Sequence, residues 1–259
     1  MATKHALGRT AGTAASGVIV AALLIGAALV GASYVAVKGF EYVKTYDSSR
    51  LDVTGSSDRV VTSDQVKWMA AFARRVDATG LSQGYRLMSS DLESVLGVLA
   101  PLGFTRDDLT IQPVAVSPVY RQCYNATADC VADVVGYELN QYFTLSSGEV
   151  DKVTAAAQNA QPFVDAGLSY QTVSLEYYYS GLAAVRPQLL AEAIKDAQAR
   201  AEAVASATGV SVGQLRSADS GVFQVTQLNS TDVSAYGMYD TTTIEKRITA
   251  VVHASFALR

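Results

Sequence analysis

The chain has 259 residues, 49% of them hydrophobic and 17% charged, a balance that excludes disorder and favours a packed core of one large or two small domains. Its formal net charge of −4 leaves no electrostatic footprint for nucleic acid. Two cysteines and two histidines occur; Cys123 and Cys130 would need two more ligands for a zinc site, and His5 and His253 lie near opposite ends of the chain, far from the ordinary spacing.

Residues 1–16 carry Lys4, His5 and Arg9 and no acid, and are read as a short cytoplasmic stretch. Residues 17–37, "GVIVAALLIGAALVGASYVAV", contain no charge. At ~1.5 Å rise per residue such a segment reaches roughly 30 Å, the thickness of a bilayer core. A retained transmembrane anchor is the favoured reading. A cleaved signal peptide is the rival, since its apolar region is usually only about 7–15 residues long but "VGA" offers a cleavage site. The basic flank puts the N-terminus in the cytoplasm and the rest of the chain outside it. Ala22 with Gly26, and Ala27 with Gly31, are small-xxx-small pairs that read either as a seam along which two anchors pack closely or as ordinary small residues of a lipid-facing helix. Residues 38–49 read as a connector, and 50–259 as the exported domain.

In that domain, "LDVTGSS" from Leu51 reads as a short strand ending in a turn. Val66, Trp68, Ala70 and Phe72 alternate with polar or smaller neighbours, a period of two that predicts a half-buried strand. Two helices are placed by capping boxes, Ser90 with Glu93 and Ser146 with Glu149. A third spans about Arg186 to Thr208, with Pro187 in its first turn. Each helix ends in glycine and an apolar residue, at Gly103, Gly167 and Gly209, the pattern of a left-handed C′ cap. A strand candidate follows each: "LTIQPVAVSPVY", "TVSLEYYY" and "GVFQVTQL". Strands over 134–145 and at the C-terminus complete the set. In the last, Ile248, Ala250, Val252, Ala254 and Phe256 share one face and His253 the other.

The long third helix is rich in alanine. Leu190, Ala193, Ile194, Ala197, Ala201, Val204 and Ala205 fall at spacings of three and four, so they predict one buried face against the domain's own sheet, with a second subunit as the alternative neighbour.

Chemistry is sparse. No P-loop, dinucleotide fingerprint, zinc-protease or nucleophile-elbow motif occurs, so no catalytic, cofactor-binding or metal residue is nominated and the chain is expected not to be an enzyme. Cys123 and Cys130, in "CYNATADC", read either as two thiols or, outside the cytosol, as a disulfide clamping a loop. Tyr177, Tyr178 and Tyr179 in "EYYY" would show rings on both faces of a strand, as a partner or ligand surface or through strand propensity alone.

Four stretches together resemble the SIMPL-domain family: residues 53–68, 134–145, 186–215 and "RITAVVHASFAL". The resemblance covers Leu51 to Leu258. It implies an α+β fold in which antiparallel sheet packs against helices in two subdomains, here preceded by one transmembrane helix. It also implies homo-oligomers, ring- or channel-like in some members, exported to the bacterial envelope and linked to oxidative-stress defence. No cofactor is implied. The expected partners are other copies of the chain and the lipid bilayer through residues 17–37. Two alternatives stay open: a ligand-binding module using the Tyr-rich sheet, and a redox protein using Cys123 and Cys130.

Overall fold

The structure, a computed structural model, describes residues 11–48, 50–121, 133–232 and 234–259, the side chains of 11–22 and 42–48 excepted. In chain order it has helix α1 (Ala11–Ser48), strands β1 (Arg50–Thr62) and β2 (Gln65–Asp77), helix α2 (Leu81–Leu99), strands β3 (Leu109–Ile111), β4 (Ala115–Tyr120) and β5 (Val134–Ser147), and helices α3 (Val150–Gln158) and α4 (Gln161–Asp165). Strand β6 (Ser169–Tyr178), helix α5 (Leu182–Ala207) and strands β7 (Val212–Ser220), β8 (Gln224–Gln227), β9 (Met238–Tyr239) and β10 (Glu245–Leu258) follow. Two five-stranded sheets result. One has the order β1-β10-β8-β9 with β7 also on β10, the other β3-β5-β2-β6 with β4 also on β5. This is the expected α+β architecture of antiparallel sheet and covering helices.

By contacts the chain divides into two units, Met1–Thr54 with Ala197–Asp219 and His253–Arg259, and Gly55–Asp196 with Ser220–Val252. The larger holds the β2–β5–β6 sheet. Antiparallel registers pair Trp68 with Leu145 and with Leu175. Trp68 is sealed, and its ring meets Phe143 and Phe163 edge-on at 5.5 and 6.1 Å. Met88, Leu92, Val95 and Leu99 of α2, Val153 of α3 and Phe163 of α4 close the same core. The alternation expected in β2 therefore holds.

A second cluster in this unit joins Leu189 of α5 to Val225, Ile248 and Ala250. In the smaller unit Ala197 and Ala201 pack on Ala254 and Phe256, with Leu51, Val53 and Val212 beside them. The helix packs on the domain's own sheet, as its composition implied. The buried line is narrower than expected, however: Leu189, Ala193, Ala197, Ala201 and Ala205 are sealed, Leu190 is only half-buried and Val204 is 49% exposed. A spacing of four throughout selects one ridge, and residues one step off it turn towards solvent.

Several local expectations need correction. β1 is a continuous 13-residue strand, with no turn at "GSS". α2 begins at Leu81, so Ser90 and Glu93 lie inside it and cap nothing; its N-cap is Gly80. The α3 N-cap is Glu149, whose N–H donates to the Ser147 hydroxyl, while Ser146 belongs to β5. The reciprocal capping box is instead Thr105 with Asp108, on a short 3-10 turn. α5 starts at Leu182, which puts Pro187 inside the helix rather than in its first turn. The stretch after Gly103 breaks into β3 and β4 across Pro113, and the strand that follows Gly209 is β7, ahead of the expected "GVFQVTQL". In each case tertiary pairing overrode a local signal. The three glycine stops stand as expected, at φ 84°, 80° and 75°, and the N–H groups of Phe104, Leu168 and Val210 reach back to Leu99, Phe163 and Ala205.

Candidate functional site

Two features stand apart from the packed cores. The first is α1. Leu23–Glu41 is apolar, long enough to cross a bilayer, and buried against nothing. The expected connector, residues 38–49, is helical as far as Ser48. Lys38 lies near the far end of this apolar stretch and is paired to Glu41 at 3.0 Å. One face carries a shallow groove formed by Leu23, Gly26, Ala27, Val30, Gly31 and Tyr34. Three of the nominated packing residues lie on it; the Ala22 side chain is outside the described residues.

The second is a junction in the larger unit where three connections meet: Ser63–Asp64 between β1 and β2, Tyr178–Gly181 after β6, and Tyr239–Lys246 before β10. Ser63 is buried, and both its N–H and its hydroxyl donate to the Ile244 carbonyl, at 2.9 and 2.8 Å. The Asp64 carboxylate accepts from the Ser180 N–H at 2.8 Å and hydroxyl at 2.5 Å. Burial works to raise its pKa, but these donors prevail and hold it below the ordinary value. The Lys246 ammonium is completely buried and donates to the carbonyls of Asp240 and Thr243 at 2.7 and 2.6 Å and to Asp240 Oδ2 at 3.3 Å. Burial pushes its pKa down against the pull of Asp240. Asp240 also accepts from the side chains and N–H groups of Thr242 and Thr243. Desolvation opposes its charge, yet these donors and Lys246 keep the carboxyl well below the usual range.

The three nominated tyrosines enter this junction without forming a common surface. Tyr177 is buried in the main core, its hydroxyl 3.1 Å from that of Thr154, so it is not available to a partner. Tyr178 donates to Glu176 at 2.5 Å and stacks on Tyr239 with centroids 6.0 Å apart. Tyr179 packs against the Leu189 cluster, and its N–H donates to the Tyr239 hydroxyl. Period-two alternation explains the split: Tyr177 faces the helices and Tyr178 the other side. Cys123 and Cys130 lie outside the described residues.

His253 sits on the exposed face of β10, Nδ1 2.9 Å from the Thr54 hydroxyl, in a shallow depression with Asp52, Ser217 and Asp219. Among the described residues no three His, Cys, Asp or Glu side chains converge as metal ligands. Sequence reading missed the bidentate Arg74–Asp91 pair, with both contacts at 2.6 Å and Asp91 nearly sealed. Asp91 stands one residue before Leu92 of the apolar stripe, and a carboxylate there was its only signal.

Helix-covered antiparallel sheets behind a bilayer-length helix define an α+β protein of membrane-anchored or exported type. Residues 51–256 match the SIMPL family, described as "Protein of unknown function (DUF541)", and the chain belongs to it. No curated protein matches the chain.

Proposed function

We propose that this SIMPL protein is a non-enzymatic, single-pass anchored protein of the bacterial cytoplasmic membrane, its N-terminus in the cytoplasm and its domain outside, and that it self-assembles as a homo-oligomer. The observation that carries the reading is the unburied apolar span of α1. Its groove of Gly26, Ala27 and Gly31 supports close approach of a second copy of the helix. The link to oxidative-stress defence and a ring- or channel-like assembly belong to this reading through the family resemblance. The test is the N-terminus and particle size of native, detergent-extracted protein. An intact N-terminus with a particle of several subunits is expected. A chain cleaved after the apolar segment overturns the anchor, and a strictly monomeric particle overturns the assembly.

A further inference from the structure

In the smaller unit, β1, β10 and β7 lie side by side in one sheet, and their shared face holds the depression at His253, about 240 Å³ in volume. We propose that this depression binds a short aliphatic diamine, one ammonium on Asp219 and the other on Asp52. Asp52 and Thr54 reach it from β1, Ser217 and Asp219 from β7, and His253 and Ser255 from β10. Among the described residues its lining has two carboxylates and no lysine or arginine. Asp219 has no hydrogen bond or ion pair among the described residues. Asp52 is paired with Arg50 at 3.2 Å, but the two side chains are 61% and 48% exposed, and a surface pair of that kind is worth little. An anion would be repelled by this lining. A metal ion would need ligands that converge on one point, and among the described residues no three such side chains do.

Ser255 is an independent mark of a ligand here. It stands two residues from His253, so the two side chains share a face of the strand, and it lines the same depression while only 8% exposed. Its hydroxyl has no hydrogen-bond partner among the described residues, and a polar group so enclosed is costly to leave unpaired. An ammonium offers three donors and no acceptor. It suits a lining whose carboxylates only accept and whose Ser217 and Ser255 hydroxyls are free to accept. The placing of the carboxylates asks for two such groups. β1 and β7 both pair with β10, and strands two apart in a sheet are separated by about 10 Å. A chain of four methylenes, with a charge-assisted contact of about 2.7–2.9 Å at each end, spans that gap.

The experiment is an NMR titration of the full chain in a neutral detergent with 1,4-diaminobutane, with n-butylamine, calcium and zinc as controls. Of the two histidines, His253 reports on the site and His5 serves as the reference. Saturable shifts of the His253 ring signals are expected, with His5 unmoved. The diamine should bind more tightly than any control. Its affinity should fall about tenfold in Asp219→Asn, through loss of a hydrogen bond between charged groups, and about fivefold in Ser255→Ala, through loss of a neutral acceptor. Asp219 is exposed, and an unchanged circular dichroism melt would show that variant folded. An unmoved His253, undiminished binding by Asp219→Asn, butylamine binding as tightly as the diamine, or either metal ion binding more tightly overturns the proposal. A cleaved N-terminus or a monomeric particle, the results that overturn the proposed function, leaves this readout intact.

Discussion

Tyr170 and Tyr178 show how one residue type acquires separate roles. The Tyr170 ring stacks on Phe163 at 4.1 Å, and its hydroxyl lies 3.1 Å from that of Thr172, which also receives the Trp68 indole N–H. Burial pushes its pKa up to about 12. The Tyr178 phenol, bound to the Glu176 carboxylate and partly desolvated, is also raised to about 12, and the same bond holds Glu176 below its usual value. Between the ordinary phenol value of 10.0 and about 12, the folded protein keeps protons that the unfolded chain has released. Their contribution to stability is therefore complete below about pH 10 and falls as pH rises through this window. Urea unfolding at about pH 9 and about pH 11.5 should show that decline, and Tyr170→Phe should flatten it. An equal slope in the variant would remove Tyr170 from the account. The sequence announced a cluster of tyrosines, but assigning Tyr177 to the core and Tyr178 to a carboxylate required strand registers. The buried Lys246 was still less legible, since a lysine opening an alternating strand reads as solvent-facing until Asp240 and Thr243 are seen to receive it.

At the scale of elements, α5 is the clearest case. Alanine along its ridge lets helix and sheet backbones approach closely, and Ala201 against Ala254 and Phe256 leaves no room for growth. Ala201→Leu should cost about 1–3 kcal/mol through overpacking, whereas Val204→Leu, at an exposed position, should leave stability within about 0.5 kcal/mol. Denaturant melts of the two variants measure the contrast, and similar losses would mean the ridge is not tightly packed. The helix and its face were readable because periodicity is local. Its start was not: Leu182 and Val185 are helical because they pack on the Leu189 cluster, and that contact carries the helix back past Pro187. The misplaced capping boxes have the same origin. A Ser-x-x-Glu spacing is two residues in four, and Met88, five residues before Glu93, is sealed in the core and draws α2 back to Leu81.

For the whole molecule, the apolar helix α1 and the sheet edges are the surfaces on which the proposed self-association would rest. The β2–β5–β6 sheet is ill-suited to growth by strand addition. Pro118 in the edge strand β4 lacks an N–H, and the edge strand β6 carries a bulge that leaves Val173 unpaired and 46% exposed. The self-association proposed above would then use other surfaces, such as the α1 groove. A Cβ at Gly26 or Gly31 meets nothing within 4 Å. Gly26→Leu/Gly31→Leu therefore leaves the single chain undisturbed while blocking close helix approach. Light scattering in detergent should show the particle shifting towards monomer, and an unchanged mass would take the anchor out of the assembly contact.

The sequence by itself determined the apolar span, the α+β class, the family, the glycine stops and the buried face of the terminal strand. The family rests on the resemblance of four stretches to known members, and the others on composition or short-range periodicity, which a chain carries before it folds. Only the tertiary structure decided the two-sheet topology, the helix starts, the sealed Lys246, the separation of the three tyrosines and the polar depression at His253. Those depend on which distant segments pair and in what register, and a shift of one residue in a strand exchanges its buried and exposed faces.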